Sequence, residues 1–148
     1  MKHLATDEDT LRRLLVELNW LEGTSDEFQS RLNIIDAGLT ELQLAGRALE
    51  GLRSEAKGSP LFVPVGGGSY VKAEVSDAKK VVVGIGAGIA IEKTVEEAKE
   101  SVGNQLAQLE KVRQTVQQQL LEVIQRMEEV RTKINALSSK LSEGKRSV

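Results

Sequence analysis

The chain has no cysteine, one histidine, two prolines and four aromatic residues among its 148. Each scarcity excludes something. Without thiols there is no disulfide and no thiolate metal site, which is compatible with a reducing compartment. His3 stands alone near one end, so neither a metal site nor a nucleophile–base pair can be built around it. Only Trp20, Phe28, Phe62 and Tyr70 are aromatic. Large rigid side chains usually anchor globular interiors, so so few of them suit an elongated protein better than a compact one. The 20 basic and 22 acidic residues nearly cancel and form no basic block; clustered Lys and Arg are what a phosphate backbone requires, so no nucleic-acid partner is expected. No run of 18 apolar residues occurs, and the opening MKHLATDEDTLRR holds no apolar signal core. A soluble, cytoplasmic protein with no membrane contact is the expectation.

What the chain does have is heptad pattern. With Leu11 at position a, the a/d set is Leu11, Leu14, Leu18, Leu21, Ser25, Phe28, Leu32, Ile35, Leu39, Leu42, Gly46 and Leu49, apolar except at Ser25 and Gly46. A second series, from Val102 through Leu106, Leu109, Val116, Leu120, Val123, Met127, Val130, Ile134 and Leu137 to Leu141, keeps the same alternating spacing and is broken only by Arg113. Seams this regular rarely stay unpaired in water.

The first helix is expected from Thr6, with Asp7, Glu8 and Asp9 in its first turn, to about Lys57, where Gly58-Ser59-Pro60 stops it. The second is expected to start at Thr94-Val95-Glu96-Glu97, a capping-box pattern, and to end near Gly144. At about 1.5 Å per residue each would be roughly 70–75 Å long. Equal lengths favour an antiparallel intramolecular coiled coil with Leu11 near Leu137 or Leu141.

Between the helices the apolar period drops to two. Leu61–Val65 and Tyr70–Val75 flank Gly66-Gly67-Gly68-Ser69, and Val81-Val82-Val83 and Ile89–Ile91 flank Gly84 to Gly88. Both read as β-hairpins, since glycine tolerates the positive φ of tight turns. Gly84 and Gly86 also suggest a dinucleotide loop, but Ile89 replaces the third glycine and no further βαβ unit follows. The organisation is α+β: an N-terminal helix over 1–57, two hairpins over 58–93, a C-terminal helix over 94–143 and a flexible tail at 144–148. Four short strands cannot bury a core alone. Val63, Val65, Val81 and Val83 should therefore be covered only by other subunits. Leu15, Val16 and Trp20 on the first helix, with Leu121 and Ile124 on the second, lie off the seam. They are either scattered surface residues or a partner surface. Gly23, Gly38, Gly46, Gly51 and Gly103 soften the helices or mark close packing.

In the hairpins, VPVGGGSYVKAEV and VVVGIGAGIAIEK resemble those of the prefoldin family, specifically its α-type subunits, which have two hairpins where β-type subunits have one. Gly67 stands where the family motif often has alanine. The resemblance implies a hexamer of two α-type and four β-type subunits whose hairpins complete a double β-barrel, and no enzyme activity, cofactor or metal. Its assembly residues here would be Val63, Pro64, Val65, Gly66, Gly68, Val71, Val81, Val82, Val83, Gly84, Gly86 and Gly88. The helix ends would grip non-native proteins without ATP and pass them to a group II chaperonin. Leu4, Leu11, Leu15, Val16, Trp20, Ile134, Leu137 and Leu141 would make that contact. The alternative is a structural scaffold or filament subunit that self-assembles through its hairpins.

Overall fold

The computed structural model describes residues 2–146, with side-chain surroundings from residue 6 onward. Helix α1 (Lys2–Arg53) leads to strands β1 (Pro60–Gly66), β2 (Ser69–Glu74), β3 (Lys80–Gly86) and β4 (Ile89–Thr94), and helix α2 (Val95–Arg146) follows. The chain divides into two units, one formed by residues 1–36 with 111–148 and the other by residues 37–110.

In each unit α1 and α2 pair antiparallel through the heptad seam. In the first unit Leu14 and Leu21 pack with Met127 and Val130, flanked by Leu18, Val123, Ile134 and Leu137. Val130 is fully buried. In the second unit the position facing Gly38 is occupied by Leu109 and that facing Gly46 by Val102. Every a/d residue from Leu11 to Leu49 is buried or half-buried, including Ser25 and Gly46. Arg113, the exception in the second series, keeps its stem at the seam and reaches out to Asp36, 2.7 Å away. Long basic side chains commonly bury a stem and keep the head wet.

The helix ends differ from expectation. Helix α1 starts at Lys2, so Thr6 is interior: its carbonyl accepts a bond from the Thr10 hydroxyl, and no acidic residue falls in the first turn. At the other end α1 stops at Arg53, short of Lys57. Ser54 and Glu55 close it with bonds to the Gly51 and Leu52 carbonyls. Gly58, at φ +86°, donates its N–H to Val75 instead of capping the helix. The first hairpin thus claims the backbone that the helix would have used. Helix α2 follows β4 without a loop, and the Thr94 hydroxyl accepts the Glu97 N–H at 3.1 Å, the first half of the capping box. It runs past Gly144 to Arg146, with Lys145 and Arg146 against the negative end of the helix dipole.

The helical glycines separate into two kinds. A Cβ on Gly38 would lie 3.2 Å from Leu109, whereas at Gly23 and Gly103 it would meet nothing within 4 Å. Gly23→Ala and Gly103→Ala should each stabilise the fold by about 1 kcal/mol, the usual helix cost of glycine. Gly38→Ala should gain less, because Leu109 must give way. Urea unfolding followed by helical circular dichroism reads the difference, and equal gains at all three sites would contradict close packing at Gly38.

Both hairpins are antiparallel with one bulge, between Pro64 and Gly66 in the first and between Gly84 and Gly86 in the second. Gly67-Gly68 and Ala87-Gly88 form their turns, all at positive φ. The left-handed conformation is free for Gly67 and costs Ala87 about 1–2 kcal/mol. The glycines of the second segment therefore turn a hairpin. They do not open a helix, as a dinucleotide loop would. The second hairpin repeats the first at a constant offset. Gly66 recurs as Gly86, the Gly66–Ser69 pair as Gly86–Ile89, and Val75, bonded to the Ser59 carbonyl, as Val95, bonded to that of Lys79. Val75 and Val95 are both buried and anchor the hairpins.

Candidate functional site

The hairpins form two separate two-stranded sheets, so each keeps both outer strand edges unpaired. Backbone donors and acceptors on such edges readily accept another chain. Strand geometry sends alternate side chains to opposite faces. On one face of the first hairpin lie Leu61, Val63, Val71 and Ala73, leading to buried Val75; on the other lie Phe62, Tyr70 and Lys72. In the second hairpin Val81, Val83 and Ile91 share the first kind of face, and Val82, Ala90 and Glu92 the second. Val81 and Val83 are half-buried in the single chain, while Val63 is 42% exposed and Val82 69%. In the single chain the Val81–Val83 run is thus half-covered on one face and open on the other. Val71 and Val65 are also exposed, as are Pro64 and the turn glycines Gly66, Gly68, Gly84, Gly86 and Gly88.

Phe62 and Tyr70 are the residues that sequence reasoning passed over here. The internal repeat was the available signal: aligning the hairpins sets Phe62 against Val82 and Tyr70 against Ala90, which marks the first hairpin's second face as unusually large and apolar.

The first unit carries a different surface. Leu15, Val16 and Trp20 project from α1 away from the seam and remain exposed, Trp20 to 67%. Leu121 and Ile124 are exposed on α2. A shallow groove of about 310 Å³ lies between the helices, walled by Trp20, Phe28, Val123 and Arg126. The remaining candidates are seam residues. Leu11 is half-buried, Ile134 and Leu137 pack beside the Leu14–Val130 cluster, and Leu141 is buried. These four can meet a partner only if the seam opens. The side chain of Leu4 lies outside the described residues.

Ion pairs flank the seam in both units. In the first, Asp7 pairs with Lys140 at 3.1 Å, Glu17 with Arg126 at 2.7 Å and Glu22 with Arg131 at 3.4 Å. In the second, Glu50 pairs with Lys99 and Arg53 with Glu96. Hydrogen bonding from Arg126 holds the Glu17 carboxyl below its ordinary range; partial desolvation opposes it, and the nearby charges of Arg126 and Lys133 reinforce it. Lys99 lowers Glu50 in the same way. A depressed folded-state pKa contributes stability above the unfolded value and loses it as pH falls through the folded one. The melting temperature should therefore hold from pH 7 to about 5 and fall below about pH 4, the unperturbed carboxylate range. Glu17→Gln should flatten that fall. Identical acid profiles for the two proteins would remove Glu17 from the account.

Among the described residues no three His, Cys, Asp or Glu side chains group to hold a metal ion, and no helix is long and apolar enough to cross a membrane. The chain is 37% identical over 113 residues to prefoldin subunit alpha of Methanopyrus kandleri, spanning 76% of this chain and 72% of that protein. Prefoldin subunit alpha of Pyrococcus horikoshii is 26% identical over 140 residues, 94% and 95% of the respective lengths. The fold is similar to that of filamentous PFD from Methanocaldococcus jannaschii, with a TM-score of 0.61 and 23% identity over 85% of this chain and 98% of that one. The family model for a prefoldin subunit matches residues 21–140. With its two helices joined by two hairpins, the chain belongs to the prefoldin family as an α-type subunit.

Proposed function

We propose that this chain is the α-type subunit of an ATP-independent, cytoplasmic co-chaperone, a hexamer with four β-type subunits. In this reading the hexamer captures unfolded proteins on its helices and delivers them to a group II chaperonin. The observation that carries it is the exposure of Leu15, Val16 and Trp20 beside a stretch of seam, Leu14, Leu18 and Leu21, that is already apolar and buried or half-buried. These side chains are not needed for helix pairing, and apolar contact without directional polar groups suits clients that share only exposed hydrophobic segments. Several arms acting together would supply avidity while each contact stays weak enough for release. The open edges and half-covered valines of the hairpins support assembly into a barrel with other subunits, because two-stranded sheets are marginal alone. No catalytic role is assigned.

Aggregation of a diluted denatured protein tests the reading. Suppression by the chain together with a β-type subunit, without ATP, supports it, and no suppression overturns it. The same open edges favour a second reading, a scaffold or filament subunit. A chain that forms large polymers alone and ignores a β-type subunit would establish that reading instead.

A further inference from the structure

The apolar seam does not by itself choose one alignment of α1 with α2. Its residues repeat every heptad, so sliding one helix along the other by a heptad exchanges apolar partners for apolar partners. Gly46, which faces Val102, would then face Leu109, or in the other direction Leu39 would face Val102. The connection between the elements does not forbid the slip. One heptad is about 10.5 Å of helix, and the six residues Ser54 to Ser59, outside both α1 and β1, reach about 20 Å when extended. Charge is what differs between alignments. The second heptad series carries cations at Lys99 and Arg113, with Leu106 midway between them. Flanking the first series, at successive heptads, run Gln29, Asp36, Gln43 and Glu50, amide alternating with acid. In the first unit Arg113 donates to Asp36 at 2.7 Å and to Gln117 at 3.1 Å. In the second Lys99 donates to Glu50.

We propose that Asp36 and Glu50, with Arg113, Lys99 and Glu110, form a register lock that selects one of several alignments the apolar seam would accept. A one-heptad slip sets Arg113 beside Gln29 and Asp36 beside Leu106, or Arg113 beside Gln43 and Asp36 beside Leu120. Both cations are half-buried at the seam, so losing an acid for an amide is costly to them, as is leucine to the acids. Polar residues at seam positions specify coiled-coil alignment in this way. Glu110 acts against the slipped states directly. Counted in heptads from the Glu22–Arg131 pair, it stands across from Gln43, and a slip in either direction sets it against Asp36 or Glu50. A two-heptad slip would restore some opposite-charge pairs but strip about four turns from the seam. The lock preserves the groove of the first unit, where Trp20 and Phe28 of α1 face Val123 and Arg126 of α2. A slip would carry those two walls past each other by a heptad.

Disulfide trapping in the full chain reads the alignment directly, because no native cysteine interferes. A Cβ at Gly46 would lie 3.8 Å from the Val102 side chain, so Gly46→Cys with Val102→Cys reports the observed register. Gly46→Cys with Leu109→Cys reports a slip in one direction, and Leu39→Cys with Val102→Cys a slip in the other. Each pair is equilibrated in glutathione buffer, and non-reducing gels separate intramolecular from intermolecular cross-links. In the parent the first pair should cross-link at least tenfold more than either of the others. Asp36→Gln, Gln43→Glu and Glu50→Gln together move the acid to a place that Arg113 or Lys99 reaches only after a slip, and all three positions are exposed. This triple variant should keep its helical circular dichroism and raise slipped cross-linking at least tenfold at the expense of the first pair. Glu110→Lys alone changes one exposed residue and turns the repulsion of the slipped states into attraction. It should raise slipped cross-linking severalfold, whether or not the triple variant folds. The parental cross-linking pattern in either folded variant, or equal trapping of all three pairs in the parent, would overturn the proposal.

Discussion

Val83→Asp should leave the helical circular dichroism of the chain intact and abolish assembly with a β-type subunit. Val83 is half-buried beside Val81 and pairs across the strands with Ile91, on the face that leads to buried Val95. In the free chain a carboxylate there retains partial contact with water. In a closed barrel it would be buried without a partner, at a cost of several kcal/mol, enough to dissociate most oligomers at micromolar concentration. Val82→Asp supplies the contrast. Val82 lies on the opposite face and is 69% exposed, so its replacement should leave association with the β-type subunit within a few fold of the parent. Sedimentation of each variant with the partner subunit separates the two. A Val83→Asp hexamer indistinguishable from the parent would make the barrel assignment wrong.

A second large effect is expected from Leu15→Ser, Val16→Ser and Trp20→Ser combined. All three are exposed, and the seam residues between and beside them, Leu14, Leu18 and Leu21, are buried or half-buried and untouched. The triple variant should therefore fold and assemble as the parent does. Each apolar side chain buried against a client contributes about 1.5–3 kcal/mol. Removing three from each α-type arm should reduce suppression of client aggregation more than tenfold, because avidity multiplies the loss. Light scattering from a diluted denatured protein, with parent and variant complexes at equal concentration, measures it. Trimming to residues 20–134 should have the same effect by removing the helix ends while leaving the hairpins. Undiminished suppression by both altered complexes would place client binding elsewhere and put the scaffold reading ahead.

Much of the molecule was legible from residue order. The heptad series located every seam position from Leu11 to Leu141, because a repeat of apolar residues in steps of three and four can satisfy itself only along one stripe of a helix. The hairpins were equally plain, since Gly66-Gly67-Gly68 and Gly86-Ala87-Gly88 interrupt alternating strands where tight turns need positive φ. Local rules also gave the start of α2 at Thr94 within a residue. They failed at both ends of α1. The stop at Arg53 depends on Gly58 bonding to Val75, a residue of the same hairpin but distant in sequence, and no window of neighbouring residues contains that competition. The five helical glycines are alike in sequence, and Gly38 differs from Gly23 only because Leu109 of the other helix arrives beside it. The candidate surfaces divide in the same way. Pattern alone separated Leu15, Val16 and Trp20 from the seam. The exposure of Phe62 and Tyr70, and the difference between Val82 and Val83, became visible only with strand register, because a side chain's face is set by its pairing across the hairpin. Periodicity is a property of neighbours along the chain, whereas burial is a property of whatever else comes to rest against them.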